Sequence, residues 1–470
     1  MDLKLYLAIL VGKLLTLVIR LARGGATAAP GLFALYIDPN LVKKLSKKIK
    51  NGSIIVSGTN GKTTTARLIF DIVSTQYKVV HNRQGSNLLR GIASTLVQKA
   101  SFYGLLEEDL AIWEVDEATL AEAIANVSPK VILLGNLMRD QLDRYGEVDS
   151  IRNKWKNSLK KLNKSTTLIL NADDPGISIL SSYHKGPLIF FGVDDNKINL
   201  PKIANIADIK HCLKCGSILN YLSQLSAHMG HYSCPNCKLA RPQPKVFAKD
   251  LIFDTDFSTH AKISINNSPL TIHYHLPGLY NVYNVLAASS VALSLNFNST
   301  VIVEKIKSFT SAFGRFQKIK IKDRNALIFL IKNPAGANEV LRTIALKSKL
   351  NILAILNDKI ADGKDVSWIW DTNWEILQKK VKTLNVSGIR AWDLATRLKY
   401  AGFKLSKNDI NMGNHIPHKY RNKDVNYSIK SSLNKLSNKD TLIILPTYTA
   451  LLEVQNSLYK LARGIKWQEQ

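Results

Sequence analysis

Residues 54–65 read Ile54-Ile55-Val56-Ser57-Gly58-Thr59-Asn60-Gly61-Lys62-Thr63-Thr64-Thr65. A β-branched run feeds a glycine turn, and the turn opens straight into a helical pattern of Ala66, Leu68, Ile69, Ile72 and Val73. Backbone N–H groups and a helix N-terminus therefore converge on one point, an arrangement that favours phosphate. Lys62 is placed to reach the β- and γ-phosphates of a nucleotide, and a hydroxyl from Thr63 or Thr64 to reach Mg²⁺. A full Walker spacing would need glycine at Val56, so this is the shorter GxxGK[ST] form. A glycine turn with a surface lysine is the bland alternative; a strand before and a helix after favour the nucleotide.

Outward from this loop the chain alternates apolar strands with amphipathic helices. Strands are predicted at 53–57, Lys78–His81, Asp109–Val115, Val131–Asn136 and Thr167–Asn171, and helices at 62–75, from about 90, near 118–126 and near 150–162. That order indicates a mainly parallel sheet covered on both faces, an α/β fold with the phosphate loop on its first strand.

Between about 208 and 243 the alternation breaks. Cys212-Leu213-Lys214-Cys215 and Cys234-Pro235-Asn236-Cys237 form two CxxC pairs 18 residues apart. Four thiolates at this spacing suit a structural tetrahedral Zn²⁺, with iron the minor alternative, and they point to a reducing compartment rather than a disulfide framework. His211, His228 and His231 are read as surface residues. Antiparallel strands are expected at Lys245–Phe253, His260–Ile265 and Leu270–His275, followed by an alanine-rich helix over Val285–Leu295. A second α/β series begins after Phe313-Gly314-Arg315-Phe316, with strands at 326–331, 350–356, Val386–Arg390 and Thr441–Leu445 and helices near 337–346 and 391–401, which places a domain boundary near Arg315.

The 470 residues allow two to four domains, and the net charge of +28, from 64 basic and 36 acidic residues, favours polyanionic partners without choosing among them. Residues 3–23 form one helical pattern with Lys13, Thr16, Arg20 and Arg23 on a common side. Its internal charges make a poor transmembrane span or signal peptide, leaving a helix on a membrane surface or one packed on its own protein.

Other polar clusters fall at predicted strand ends. Glu114, at the end of its strand, is placed to hold Mg²⁺, whereas Asp116 and Glu117 are expected to start a helix. The loop Asn136-Leu137-Met138-Arg139-Asp140-Gln141-Leu142-Asp143 follows the next strand, and Asn171-Ala172-Asp173-Asp174-Pro175 could be only a turn. Asn357–Asp371, with Asp358, Asp362 and Asp365 before Trp368 and Trp370, reads locally as an Asx turn leading into a helix cap.

Taken together, Gly58–Thr64, Glu114, the Asn136–Asp143 loop, Gly278…Asn281…Asn284 and Gly314-Arg315 resemble the Mur ligase family from about residue 50 onward. The cysteine insertion, Lys332-Asn333-Pro334-Ala335-Gly336 and Asp362–Asp371 are similar to its MurT branch. The resemblance implies a lead-in over 1–50, a central P-loop domain over 51–312 with a four-cysteine zinc ribbon inserted, and a Rossmann-like C-terminal domain over 315–470. It also implies ATP-dependent amidation of D-glutamate in the lipid II stem peptide through an acyl phosphate, within a heterodimer in which a GatD-like glutaminase supplies ammonia. Gly58, Thr59, Asn60, Gly61, Lys62, Thr63 and Thr64 would cradle phosphates, Thr63 and Glu114 would hold Mg²⁺, Asn281 would face adenine, and Arg315 would contact phosphate. Asp365 would orient the partner's catalytic histidine from across the interface. Gln84 and Thr447 depart from the residues usual in relatives. The chain is expected at the cytoplasmic face of the plasma membrane, touching anionic lipid and no nucleic acid. A folylpolyglutamate-synthase-like ligase and a nucleic-acid-binding P-loop ATPase are the rival readings.

Overall fold

The computed structural model describes residues 2–22, 27–83, 86–140, 148–200, 208–266, 268–310, 316–412, 425–437 and 440–463. Gln84, Asp143, Gly314, Arg315 and Arg23 lie outside the described residues, so the readings attached to them gain no structural description.

The phosphate loop leaves strand β1 (Ser53–Ser57), every residue of which is buried. Around it stand β2 (Val79–His81), β3 (Leu110–Glu114), β4 (Pro129–Leu134), β5 (Thr167–Asn171) and β6 (Leu188–Val193), all parallel. The ribbon strands β7 (Asn220–Ser226) and β8 (Met229–Ser233) form a separate two-stranded antiparallel sheet. Then β9 (Val246–Phe253) joins β6 in parallel, and β10 (Thr259–Ile265) and β11 (Ser268–Tyr274) follow it antiparallel, giving the order β11-β10-β9-β6-β5-β4-β1-β3-β2. The chain runs β1 to β3 toward one edge and β4 to β6 toward the other. The loops after β1 and β4 therefore part where the winding reverses, and a crevice opens at the carboxyl ends of the strands.

The helices cover both faces because the strands are apolar on both. Ala66, Leu68, Ile69, Ile72 and Val73 of helix Lys62–Val73 pack on one side with helix Gly278–Ser294, while Ile92, Ala93, Leu96 and Val97 of helix Leu89–Lys99 pack on the other. Helix Gly278–Ser294 starts seven residues before the expected Val285, directly after Pro277, which stands at the N-cap in extended backbone.

A second sheet joins β12 (Gln317–Ile321), β13 (Arg324–Ile328), β14 (Leu350–Ile355), β15 (Val381–Gly388), β16 (Ile410–Met412) and β17 (Thr441–Pro446) in the order β12-β13-β17-β14-β15-β16. Only the β12–β13 hairpin is antiparallel. β6, β7, β8, β12 and β16 lie outside the strands predicted from the sequence: β6 is an apolar run that periodicity alone does not assign, and the polar-interrupted or short patterns of the others acquire strand character through their neighbours.

The first helix, Leu3–Leu21, carries both of the faces that the sequence left as alternatives. Leu5, Ala8, Ile9, Gly12 and Thr16 are buried against the protein, and a Cβ on Gly12 would stand 2.6 Å from Val97 Cγ1. Lys13 Nζ and Arg20 Nη2 reach along the surface to the neighbouring helix, donating to the Gln98 backbone oxygen at 3.4 Å and its Oε1 at 2.9 Å. Leu3, Leu7, Leu10, Leu14, Leu17 and Leu21, spaced by three or four residues, are left exposed. Among the described residues no helix is long and apolar enough to cross a membrane.

Candidate functional site

At the end of β1 the chain turns through two positive-φ glycines, Gly58 (φ 141°) and Gly61 (φ 87°). Both turns are also close approaches: a Cβ on Gly58 would lie 3.0 Å from the Asn136 backbone, and one on Gly61 2.1 Å from Asn284 Oδ1. The loop is held by side chains from the strand-end loop after β4. Asn136 Oδ1 accepts from Asn60 N at 2.9 Å and its Nδ2 donates to Asn60 O at 3.0 Å, while Thr59 Oγ1 accepts from Met138 N at 3.0 Å.

Lys62 is buried, and its Nζ lies 2.6 Å from Glu117 Oε2, itself buried, and donates to Gly58 O at 2.5 Å. Burial opposes the lysine charge, but the Glu117 carboxylate, with Asp116 and Glu114 behind it, outweighs burial and raises the lysine pKa. Burial likewise pushes Glu117 up, while Lys62 and Lys332 outweigh it and hold the carboxyl below its usual range. Glu117 does begin a helical turn, Glu117–Thr119, as expected; its pairing with Lys62 went unread, because a three-residue offset from Glu114 carries no sign of which carboxylate turns inward. Trp155 Nε1 donates to Glu117 O at 2.8 Å and fixes that turn.

Glu114 turns to the helix start instead. Thr63 Oγ1 donates to Glu114 Oε1 at 2.8 Å, which sets two hard oxygen donors side by side, a pair that fits Mg²⁺. Asn82 grips the Glu114 backbone on both sides, accepting from its N and donating to its O at 2.9 Å each. Nothing in the local sequence marks Asn82, since the grip spans two neighbouring strands.

The crevice beside this loop is lined by Asn60, Gly61, Thr64, Asn136 and Met138, by Leu279, Tyr280, Tyr283 and Asn284, and by Lys332, Ala335, Gly336 and Glu339 of the second sheet's domain. Asn281 is not among these residues. It is buried, donates to Pro277 O at 2.8 Å and accepts from Asn284 Nδ2 at 3.0 Å, so it meets the crevice through Asn284. The run Lys332–Gly336 closes the far wall: Asn333 Oδ1 caps helix Pro334–Ile344 by accepting from Gly336 N at 2.8 Å, and its Nδ2 donates to Asn60 Oδ1 at 3.0 Å. Lys332 Nζ lies 2.6 Å from Asp140 Oδ2. A helix N-terminus and a second lysine thus face the phosphate loop.

The cysteine insertion reaches the same crevice. Its four sulfurs lie within 4.8 Å of one another, Cys212 to Cys237 and Cys215 to Cys234 at 3.4 Å, and could hold one metal ion. Lys214 N and Cys237 N donate to the Cys212 and Cys234 sulfurs at 3.4 Å, as in metal knuckles. A small core of Ile209, Leu219 and Tyr232 backs it. The β7–β8 tip is wedged against the main sheet. Ser226 and Met229 line the crevice, Gly230 N donates to Asp173 O at 2.9 Å, and Arg342 Nη1 donates to Leu225 O at 2.8 Å.

His228 and His231 correct the surface reading. His228 is fully buried, with Nε2 3.3 Å from Asp174 Oδ1; burial opposes its charge, and Asp174 raises its pKa. His231 Nε2 lies 2.7 Å from Val193 O. The segment Asn171–Pro175 is more than a turn: buried Asp173 pairs with Arg241 Nε at 2.5 Å and accepts from Tyr283 OH at 2.8 Å.

Asp365 is exposed on the loop before the helical turn Ser367–Asp371, and its Oδ1 accepts from Ser367 N at 2.8 Å, the Asx turn expected locally. Asp362 is buried and accepts from Thr449 N at 2.8 Å. Thr447 Oγ1 accepts from Asn357 N at 3.0 Å, so this departure from the relatives leaves the loop's backbone satisfied. Exposed Ile360, Trp370, Trp392 and Tyr400 lie on this domain.

Residues 56–292 match the Mur ligase middle domain and residues 330–451 the MurT ligase C-terminal domain. Subunit MurT of lipid II isoglutaminyl synthase (glutamine-hydrolyzing) from Streptococcus pneumoniae (strain ATCC BAA-255 / R6) is 31% identical over 472 residues, covering 97% of this chain and 98% of its own. The subunit of the same name from Staphylococcus aureus (strain COL) is 32% identical over 378 residues, 80% and 83% of the two chains. Among solved structures, a pseudomurein peptide ligase type C from Methanothermus fervidus is similar with a TM-score of 0.64 at 23% identity, covering 89% of this chain and 80% of its own. The MurF ligase of Thermotoga maritima, solved in complex with ADP, also has a TM-score of 0.64, at 14% identity over 92% and 84% of the chains. At these identities the two structures share the fold.

Proposed function

This chain belongs to the Mur ligase family, among the MurT subunits of lipid II isoglutaminyl synthase, and we propose that it amidates the α-carboxylate of D-glutamate in the lipid II stem peptide, as the ATP-dependent synthetase half of that enzyme. The observation that carries this reading is the meeting of a Mur-type phosphate loop with the Lys332–Gly336 helix start across one crevice.

A carboxylate is a poor acyl donor. Transfer of the γ-phosphoryl group to it breaks the β,γ-bridging P–O bond, releases ADP and forms an acyl phosphate. Ammonia then attacks the acyl carbon, the bond to the phosphate oxygen breaks, and inorganic phosphate and a proton leave D-isoglutamine behind. The N–H groups of Gly58–Thr64 hold the phosphates, and Lys62 passes from Glu117 toward the γ-phosphate. Thr63 and Glu114 would hold Mg²⁺, which would supply charge neutralisation at the phosphates. Lys332 adds a second cation from the facing domain, and Arg315 is assigned to phosphate by resemblance alone. The four cysteines would hold a structural Zn²⁺.

Ammonia comes from a GatD-like glutaminase bound over Asp365, whose carboxylate orients the partner's histidine. Exposed Trp370, with Tyr400 edge-on at 5.5 Å, supports a protein-binding surface on this domain. The outward leucines of Leu3–Leu21 and the +28 charge support docking at the inner face of the plasma membrane, where the lipid substrate lies.

Mass spectrometry of lipid II incubated with ATP, Mg²⁺, glutamine, this chain and its glutaminase tests the proposal. Amidation replaces OH by NH₂ and lowers the mass by about one unit. Asp365→Asn is expected to fail with glutamine and work with free ammonia. Unchanged lipid II under both nitrogen sources, with ATP still hydrolysed, would overturn the substrate assignment.

A further inference from the structure

The edge of the main sheet far from the phosphate loop carries a second cluster of metal-ligating side chains. His260 on β10 and His273 on β11 are directly opposed in register. Their rings stack with centroids 4.1 Å apart and planes at 18°. Asp254, just past the end of β9, places Oδ2 3.1 Å from His260 Nε2. One donor atom from each of the three residues lies within 4.8 Å of the other two. Ser258 Oγ lies 2.7 Å from Asp256 Oδ1 and 3.2 Å from Asp254 Oδ2, and its single proton serves one of the two carboxylates at a time. Imidazole lone pairs lie in the ring planes, so ligation of one ion by both histidines turns the two rings out of this stack while their donor atoms stay within reach.

We propose that Asp254, His260 and His273 form a second metal site, separate from the four cysteines, that takes a borderline divalent transition metal such as Zn²⁺, Co²⁺ or Ni²⁺. Two imidazoles and one carboxylate suit these ions, whereas Mg²⁺ and Ca²⁺ prefer oxygen donors throughout. The half-open surroundings leave room for water to complete the coordination.

The position gives the site a structural task. Between Asp254 and His260 the chain carries Phe257, held at φ 71° and buried. Its ring packs on Phe329 at 5.5 Å and Phe316 at 6.0 Å, in the core of the second sheet's domain. Left-handed backbone at a bulky residue is strained and persists where its surroundings enforce it. A metal joining Asp254 to His260 and His273 closes the base of this loop and so fixes the plug that connects the two halves of the molecule.

Cobalt titration tests this on full-length, untagged protein whose cysteine site has first been saturated with zinc. The wild type is expected to take up one further Co²⁺ per chain, with the weak visible bands of nitrogen and oxygen ligation and without the intense near-ultraviolet charge transfer of thiolates. His260→Gln with His273→Gln abolishes this uptake, and Asp254→Asn, which keeps the shape and removes the charge, weakens it by about tenfold or more. Equal uptake by wild type and double variant, or none by the wild type below millimolar cobalt, would overturn the proposal.

Discussion

Lys62 and Glu117 form a buried ion pair in the place where the nucleotide phosphates are expected. Removing one partner of such a pair costs about 3–5 kcal/mol, because the other charge stays buried. Glu117→Gln is therefore expected to lower the denaturation midpoint, and ATP, which restores a negative partner to Lys62, should raise the midpoint more in the variant than in the wild type. Equal ATP-induced shifts would count against this. Glu117 has a lowered pKa and Lys62 a raised one. The pair thus contributes fully between the unfolded values of about 4.3 and about 10.4, fading as pH falls through the lowered glutamate value or rises through the raised lysine value. His81 behaves oppositely. Both its ring nitrogens are sealed and have no hydrogen-bond partner among the described residues, and burial, with Arg83 and Arg67 nearby, lowers its pKa to about 4. The unfolded chain binds a proton there below about pH 6.5 while the folded one does not. Stability should therefore drop by up to about 3 kcal/mol as pH falls from 6.5 toward 4. His81→Leu should flatten that slope in urea titrations at the two ends of the range, and an unchanged slope would exclude His81 as its source.

The β7–β8 hairpin changes the meaning of the cysteine insertion. Its base carries the four sulfurs, and its tip supplies Ser226 and Met229 to the crevice wall. A metal at the base thus fixes the strands that hold the tip against Asp173 and Arg342. Cys234→Ser, or chelation of the metal, is expected to raise the KM for ATP severalfold while the far-ultraviolet circular dichroism of the main sheet persists. An unchanged KM after measured metal loss would reduce the insertion to an independent appendage. The helix Pro334–Ile344 acts at the same scale: Asn333 both caps it and bonds Asn60, so one short motif aims a helix N-terminus across the domain boundary.

At the scale of the whole molecule, the first helix is apolar on two faces: Leu5, Ala8 and Ile9 pack inward, and a second apolar face is left uncovered. Its lysine and arginine contacts face helix Leu89–Lys99, and its leucine row faces outward. An uncovered apolar row of this length fits a lipid surface. Leu7→Glu with Leu14→Glu is expected to weaken binding to anionic vesicles by at least about tenfold, since each buried leucine contributes about 1.5–3 kcal/mol, without moving the thermal midpoint. Vesicle binding equal to wild type would remove the membrane role of this face.

The amino-acid order alone determined the periodic elements and the local turns. Thr167–Asn171 came out with its predicted bounds, the phosphate loop was legible from Gly58, Gly61 and Lys62, and the two CxxC pairs announced their own cluster. These are short-range facts, set by side-chain periodicity, glycine backbone freedom and thiolate spacing. The tertiary structure alone decided which carboxylate Lys62 meets, that Asn82 and Asn136 brace neighbouring strand ends, that His228 is buried against Asp174, and that the leucines of the first helix face outward. Each of these depends on how distant segments are brought together. A side chain's own neighbourhood in sequence does not specify which strand end or helix it will meet, and those meetings fix burial, partner and charge.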